Sequence, residues 1–233
     1  MMSHKMKSII FVIVLVISSS LFGAKIAVAT KVNGTVELQK VSERDFGKLK
    51  PGTILDDGDR IRTGSMAFAA IIFIDDKSTL KLKENSEIVV TGKRSAASIA
   101  KKIDIDEGTL RAIVTDQRKG EFIIQTPTSV ASVKGTDFWL IVNESEGDQV
   151  LGLEGIVNLL NIETGLNLDV TEGNTGTSTP DGQVNIDETN TSNIPIDPED
   201  DESEESQIRI YFEGPNGEQK SLLINYRYIL IDI

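Results

Sequence analysis

The sequence predicts an all-β protein of twisted β-solenoid or sandwich-like type, and three observations carry that reading. Short runs of alternating apolar and polar residues, each ended by Gly, Pro, Asp or Ser, recur from Lys25 to about Thr171. The hydrophobic fraction is 39% but the aromatic fraction only 5%, so the core is built from Ile, Val and Leu, a bias that favours strands. No window sustains a helical period.

The elements follow in order. Lys5 and Lys7 precede an almost wholly apolar run from Ser8 to Phe22, and Ala27-Val28-Ala29 has the A-x-A form of a leader cleavage site. Residues 1–29 therefore read as a signal peptide cut after Ala24 or after Ala29. The apolar run is short of the roughly 20 residues a spanning helix needs. An uncleaved anchor is the alternative, and the only one that leaves the chain on a membrane. The chain has no cysteine. That excludes a lipidated N-terminus, a disulfide framework and thiolate metal sites together.

Val32 to Leu38 alternates, as does Thr79 to Lys83; Ala70 to Ile74 reads as a buried strand. Asp75-Asp76-Lys77-Ser78 joins the last two as a hairpin turn. Ile103 to Asp106 and Phe122 to Ile124 continue the pattern. A weak repeat runs through these strands: Asn33-Gly34-Thr35-Val36, Glu107-Gly108-Thr109-Leu110 and Glu154-Gly155-Ile156-Val157 each place a glycine before an alternating run. A glycine there lets the backbone turn a corner with φ > 0. The spacing is too irregular for a regular solenoid and suits strands entering layers of a coiled β-structure. Thr91 to Lys102, with four basic residues among small ones, reads as a solvated loop.

Charge then divides the chain. Residues 30–176 carry 18 basic and 23 acidic side chains, whereas residues 177–206 carry 10 acidic and none basic. The second block holds Pro180, Pro195 and Pro198, so residues 174–206 are expected to form an acidic disordered linker. Most of the net charge of −12 lies there, which excludes nucleic acid as a partner. Residues 207–233 read as a β-hairpin about Gly214-Pro215-Asn216-Gly217. Two strands are marginal alone, so this hairpin needs a surface to pack on.

Two turn-rich junctions stand out. The first runs Pro51-Gly52-Thr53-Ile54-Leu55-Asp56-Asp57-Gly58-Asp59-Arg60-Ile61-Arg62-Thr63-Gly64. Asp59 is placed to cap a turn through its own backbone, Ile54, Leu55 and Ile61 supply the buried face, and Gly64 ends the strand where positive φ is cheap. The second runs from Thr126-Pro127 to Lys134-Gly135-Thr136-Asp137-Phe138-Trp139. Pro127 ends a ladder, Ala131 and Val133 point inward, and Gly135 resets the backbone before a new strand. Trp139 and Phe138 both pack only if both faces of that strand are covered.

These motifs, in this order, resemble the FecR family domain. Its Gly-x-Val, Gly-Asp-x-Ile-x-Thr, hairpin, and Thr-Pro…Val-Arg-Gly-Thr-x-Phe segments appear as Gly34 to Val36, Gly58 to Thr63, Phe73 to Ser78, and Thr126 to Phe138, with Gly155 opening the closing strand. Residues 30–173 are expected to form the domain. Lys134 stands where Arg is usual, and Asp76-Lys77 replaces an Asp-Gly turn. The resemblance implies a structural role for Gly34, Gly58, Asp59, Thr63, Gly64, Thr126, Pro127, Gly135, Thr136, Phe138 and Gly155, and no active site. The best-known members are inner-membrane regulators with a cytoplasmic anti-sigma segment, which this chain lacks ahead of its apolar run.

Catalysis has little to work with. The single histidine is His4, inside the leader, so a Ser-His-Asp triad and imidazole metal ligation are both excluded after export. Asp56, Asp57 and Asp59, and Asp75 with Asp76, read as turn residues rather than as a calcium site or a glycosidase pair. The expectation is an exported, periplasmic or cell-surface binding module without cofactor, whose partner is a protein or polymer of the envelope.

Overall fold

The computed structural model describes residues 24–95, 98–116 and 121–199, together with the paired backbone of 205–213 and 219–227. Residues 1–23 of the expected leader (residues 1–29) lie outside the described residues, as does the hairpin turn at 214–218. The chain divides into two units, Met1–Thr189 and Asn190–Ile233.

In the first unit the strands are β1 (Lys25–Asn33), β2 (Val36–Gln39), β3 (Gly47–Lys48), β4 (Ile54–Asp56), β5 (Asp59–Thr63) and β6 (Phe68–Phe73). Next come β7 (Thr79–Leu82), β8 (Glu87–Arg94), β9 (Ile99–Val114), β10 (Phe122–Gln125), β11 (Ser129–Val133) and β12 (Thr136–Val142). The last are β13 (Asp148–Glu154), β14 (Ile156–Asn161), β15 (Asn167–Thr171), β16 (Asn174–Ser178) and β17 (Val184–Glu188). No α-helix occurs among the described residues, and no helix there is long and apolar enough to cross a membrane.

The strands form two facing layers. One is ordered β4-β1-β6-β7-β9-β12-β13-β16-β17, the other β3-β2-β5-β8-β9-β10-β11-β14-β15. Strand β9 belongs to both. Its first half pairs with β8 and, in parallel, with β10; its second half pairs with β7 and β12. Every other pairing is antiparallel. The inner faces meet in one aliphatic core, where Phe73 of one layer touches Phe122 of the other edge-on, with centroids 5.5 Å apart. Each fully buried aliphatic side chain there is worth about 1.5–3 kcal/mol.

The chain reaches this arrangement by changing layer repeatedly, and each described crossing holds a residue of positive φ. These are Gly34, Gly52, Gly58, Met66, Asn85, Gly108, Gly135, Gly155 and Gly173. The Gly-x-Val repeat is thus a repeat of corners. The sandwich and solenoid descriptions both apply, because a sandwich wound by alternation between layers is a coil. Gly108 shows why glycine is needed: φ is +114°, and a Cβ would lie 2.2 Å from Ser86 Oγ and 2.5 Å from Ser86 Cα. Gly64, expected in that role, has ordinary φ; Met66, two residues on, is left-handed instead at φ 53°.

Three other expectations change. Residues 174–188 are not a disordered linker: β16 pairs with β13, and β17 pairs with β16. Their stability comes from backbone pairing and close approach rather than large side chains. A Cβ on Gly176 would sit 2.3 Å from Val170 Cγ2, so the bare backbone closes the core over Val170 and Leu159. The acidic Asp187 and Glu188 stay exposed on this outermost strand, where uniform charge is tolerated. Of the expected solvated loop at 91–102, residues 91–94 end β8 and residues 99–102 begin β9, with Lys101 buried. Ile54, assigned to the buried face, is 42% exposed, whereas Leu55 and Ile61 are fully buried.

The N-terminal boundary is sharper than expected. β1 already starts at Lys25, and Ile26, Ala27 and Ala29 are all fully buried. In the second unit, Thr191–Asn193 forms a 3-10 turn whose first N–H groups are capped by Asn190, and β18 (Glu205–Glu213) pairs with β19 (Gln219–Arg227). Their register sets Ile208 opposite Ile224 and Ile210 opposite Leu222. The expected hairpin therefore begins two residues early, and residues 228–233 lie outside the described residues.

Candidate functional site

The two junctions form polar clasps rather than an exposed constellation. At the first, Gly58 (φ +88°) turns the chain and places Asp59 inside, fully buried. Asp59 Oδ1 accepts Val41 N–H at 3.2 Å; Oδ2 accepts Asp56 N–H at 2.8 Å and Lys40 Nζ at 2.7 Å. Lys40 also reaches Asp56 Oδ2 at 2.8 Å. Partial burial alone would lower the Lys40 pKa, but the hydrogen bonds and charges of Asp56 and Asp59 outweigh it and hold the amine above its usual range. Asp57 Oδ1 accepts Gly92 N–H at 2.9 Å. All three turn carboxylates thus hold strands together, and no group of three or more metal-ligating side chains converges among the described residues.

Thr63 locks the next corner. Its hydroxyl donates to Lys83 O at 2.6 Å and accepts Ser86 N–H at 3.0 Å, while Gly64 N–H bonds Thr35 O beside Gly34. A Cβ at Gly34 would meet Ala67 Cα at 3.0 Å, so these corners stack on one another. Gly135 and Gly155 stack likewise, since a Cβ on Gly155 would lie 2.4 Å from Gly135 O. Thr136 is buried with its hydroxyl unpartnered, and Phe138 fills the inner core. Trp139, on the opposite face of β12, is also buried at 1% exposure, beside Lys83 and Arg111. Both faces of that strand are covered. Ala131 and Val133 point inward as expected.

At the second junction Pro127 begins a turn held by Thr126. The Thr126 hydroxyl accepts Ser129 N–H at 2.7 Å and donates to Asp148 Oδ2 at 2.5 Å. Ser129 Oγ donates to the same oxygen at 2.6 Å. Nearby, Asn161 Nδ2 donates to Ser178 Oγ at 2.9 Å. This polar plug joins strands of both layers and is wholly buried. Burial pushes the Asp148 carboxyl upward, against the pull of the Ser129 and Thr126 hydroxyls, and its Oδ1 has no partner.

A cleft of about 550 Å³ opens where β9 bends at Gly108. Glu87, Asp106, Glu107 and Glu144 give it four carboxylates, with Pro127 and Val142 as apolar contacts. Arg60 pairs with Glu87 and lies 3.7 Å from Asp106. The cleft is acidic and has no histidine or cysteine.

The family model for FecR protein matches residues 59–158. Over those residues the chain is similar to the FecR domain. Two crystal structures of a proposed anti-sigma factor from Parabacteroides distasonis are similar to this chain, at 15% and 14% identity and TM-scores of 0.48 and 0.49. Each match covers 58% of this chain, which spans 62% of that protein. No curated protein matches.

The matched span runs from β5 to β14, yet the folded unit that contains it is larger. β1 lies between β4 and β6 in one layer, and β15 to β17 complete both layers. Sequence reasoning missed two buried polar centres of this domain. Lys101 follows Ile99 and precedes Ile103 and Ile105 at alternate positions, so its inward place was readable from period-two parity. Asp148 stands two residues before Val150 in the same way. Asn161 follows Val157 and Leu159 at the same parity; nothing comparable marked Ser178.

Proposed function

We propose that the chain is an exported, non-enzymatic FecR-domain protein that binds a protein or polymer of the bacterial cell envelope. The observation that supports this reading is the FecR match combined with the fate of its motif residues. The matched motif positions turn corners, clasp strands or fill the core, so recognition falls to the surface and to the second unit. The acidic cleft at the β9 bend is the concave candidate, suited to a cationic or hydrogen-bonding segment.

Export is read from the leader pattern, and the burial of Ile26, Ala27 and Ala29 favours the earlier of its two cleavage points. Cutting after Ala29 would remove Ile26, Ala27 and Ala29 from the core, at a cost of several kcal/mol. Cutting after Ala24 leaves β1 whole. The mature protein therefore begins at Lys25. N-terminal sequencing of the protein from its native envelope fraction tests this. Retention of residues 1–24 would sink the export reading in favour of a membrane-anchored regulator, and an N-terminus at Thr30 would sink the boundary.

A further inference from the structure

Lys101 is a buried cation between two apolar layers. Its side chain has no exposed surface, and its Nζ lies 5.3 Å from the Phe73 ring, which itself meets Phe122 edge-on. Two consecutive carboxylates reach it from the β6–β7 turn: Asp76 Oδ2 at 2.7 Å and Asp75 Oδ2 at 3.0 Å. Ile99 O accepts at 3.2 Å. Both carboxyls are fixed in orientation, Asp75 by Ile99 N–H on Oδ2 at 2.9 Å and Asp76 by Ser78 N–H on Oδ1 at 2.9 Å. The aspartate side chains are 17% and 20% exposed, which leaves a small molecule a way out.

An ammonium and a carboxylate in hydrogen-bond contact are one proton transfer from an amine and a carboxylic acid. A lysine amine freed of water is a nucleophile, and fixing it against an acyl carbon replaces a bimolecular encounter with effective concentrations of roughly 10⁵ M or more. We propose that Lys101 and Asp76 condense into an intramolecular amide, with Asp75 moving the proton. The bond from Nζ to Asp76 Cγ forms; Asp75 takes a proton from the attacking nitrogen and returns it to the departing hydroxyl. The Cγ–O bond breaks, one water leaves, and Asp75 ends as it began. No oxidant or reductant takes part. Asp75 suits the proton-carrying role because Ile99 N–H holds its carboxyl beside the amine, whereas Asp76 is closer to the amine. The product staples the β6–β7 turn of one layer to β9 in the other, in a chain with no cysteine for a disulfide.

Protease digestion of the folded full chain followed by mass spectrometry tests the proposal. The expected result is a branched peptide joining the Asp76 and Lys101 segments, lighter than their sum by one water, with tryptic cleavage after Lys101 lost. Separate peptides of sequence mass from folded wild-type protein overturn it. Asp75→Asn is expected to slow branching at least tenfold while the fold still melts cooperatively; branching at the wild-type rate overturns the Asp75 role. Lys101→Arg abolishes the branch and lowers the melting temperature.

Discussion

Asp148 is a buried carboxylate flanked by hydroxyls and no cation, and its two oxygens are treated unequally. Oδ2 receives Thr126 and Ser129; Oδ1 receives nothing. Because burial raises its pKa in the fold above the ordinary 3.8, the folded state binds the proton more tightly than the unfolded chain. The stabilisation is fully present below that value and is lost as pH rises through the folded pKa. Asp148→Asn removes the charge. Its melting temperature relative to wild type is expected to climb as pH rises from 4 to 8. A difference that does not change with pH would contradict this. Lys77 makes a second case. It holds φ 67° in the β6–β7 turn, where a side chain is strained and the FecR pattern has glycine. Lys77→Gly is expected to stabilise by about 0.5–1 kcal/mol in urea unfolding, the left-handed strain outweighing glycine's chain entropy.

The corners are the element of this fold. Gly34, Gly108 and Gly155 were readable in the sequence, because a glycine before an alternating run signals a change of direction. What the sequence hid was the destination: a corner and a hairpin turn carry the same residues, and only pairing shows which one changes layer. Met66 was illegible for a related reason, since methionine does not announce a left-handed turn, whereas asparagine, as at Asn85, is a residue type that tolerates one. Strands β16 and β17 were hidden by composition, because their contribution is backbone pairing around Gly176 beneath an acidic exterior. The same reasoning makes Gly108 the most sensitive corner. Gly108→Ala places a Cβ against Ser86 backbone at a φ that L residues avoid, and is expected to cost about 3 kcal/mol or more. Gly165→Ala, where nothing lies within 4 Å of the Cβ, carries only the φ cost of about 1–2 kcal/mol. Chemical denaturation of the two variants side by side measures the difference.

At the scale of the molecule, residues 174–188 are part of the sandwich rather than a tether to it. Ending the chain at Glu172 uncovers Val170 and Leu159 and leaves β13 without its outer neighbour β16. The truncated protein is expected to melt at least 5 °C below the full chain, an effect of about 2 kcal/mol for a domain of this size. An unchanged transition would restore the linker reading. Strand β9 has a different consequence, one of timing. Among the described residues it is the only strand shared by both layers, so neither layer is continuous until its sixteen residues are present. A chain that emerges N-terminus first offers eight strands that close neither layer before Ile99 appears. Until then the strand that joins the two halves of each layer is missing, and neither half has its neighbour across the centre.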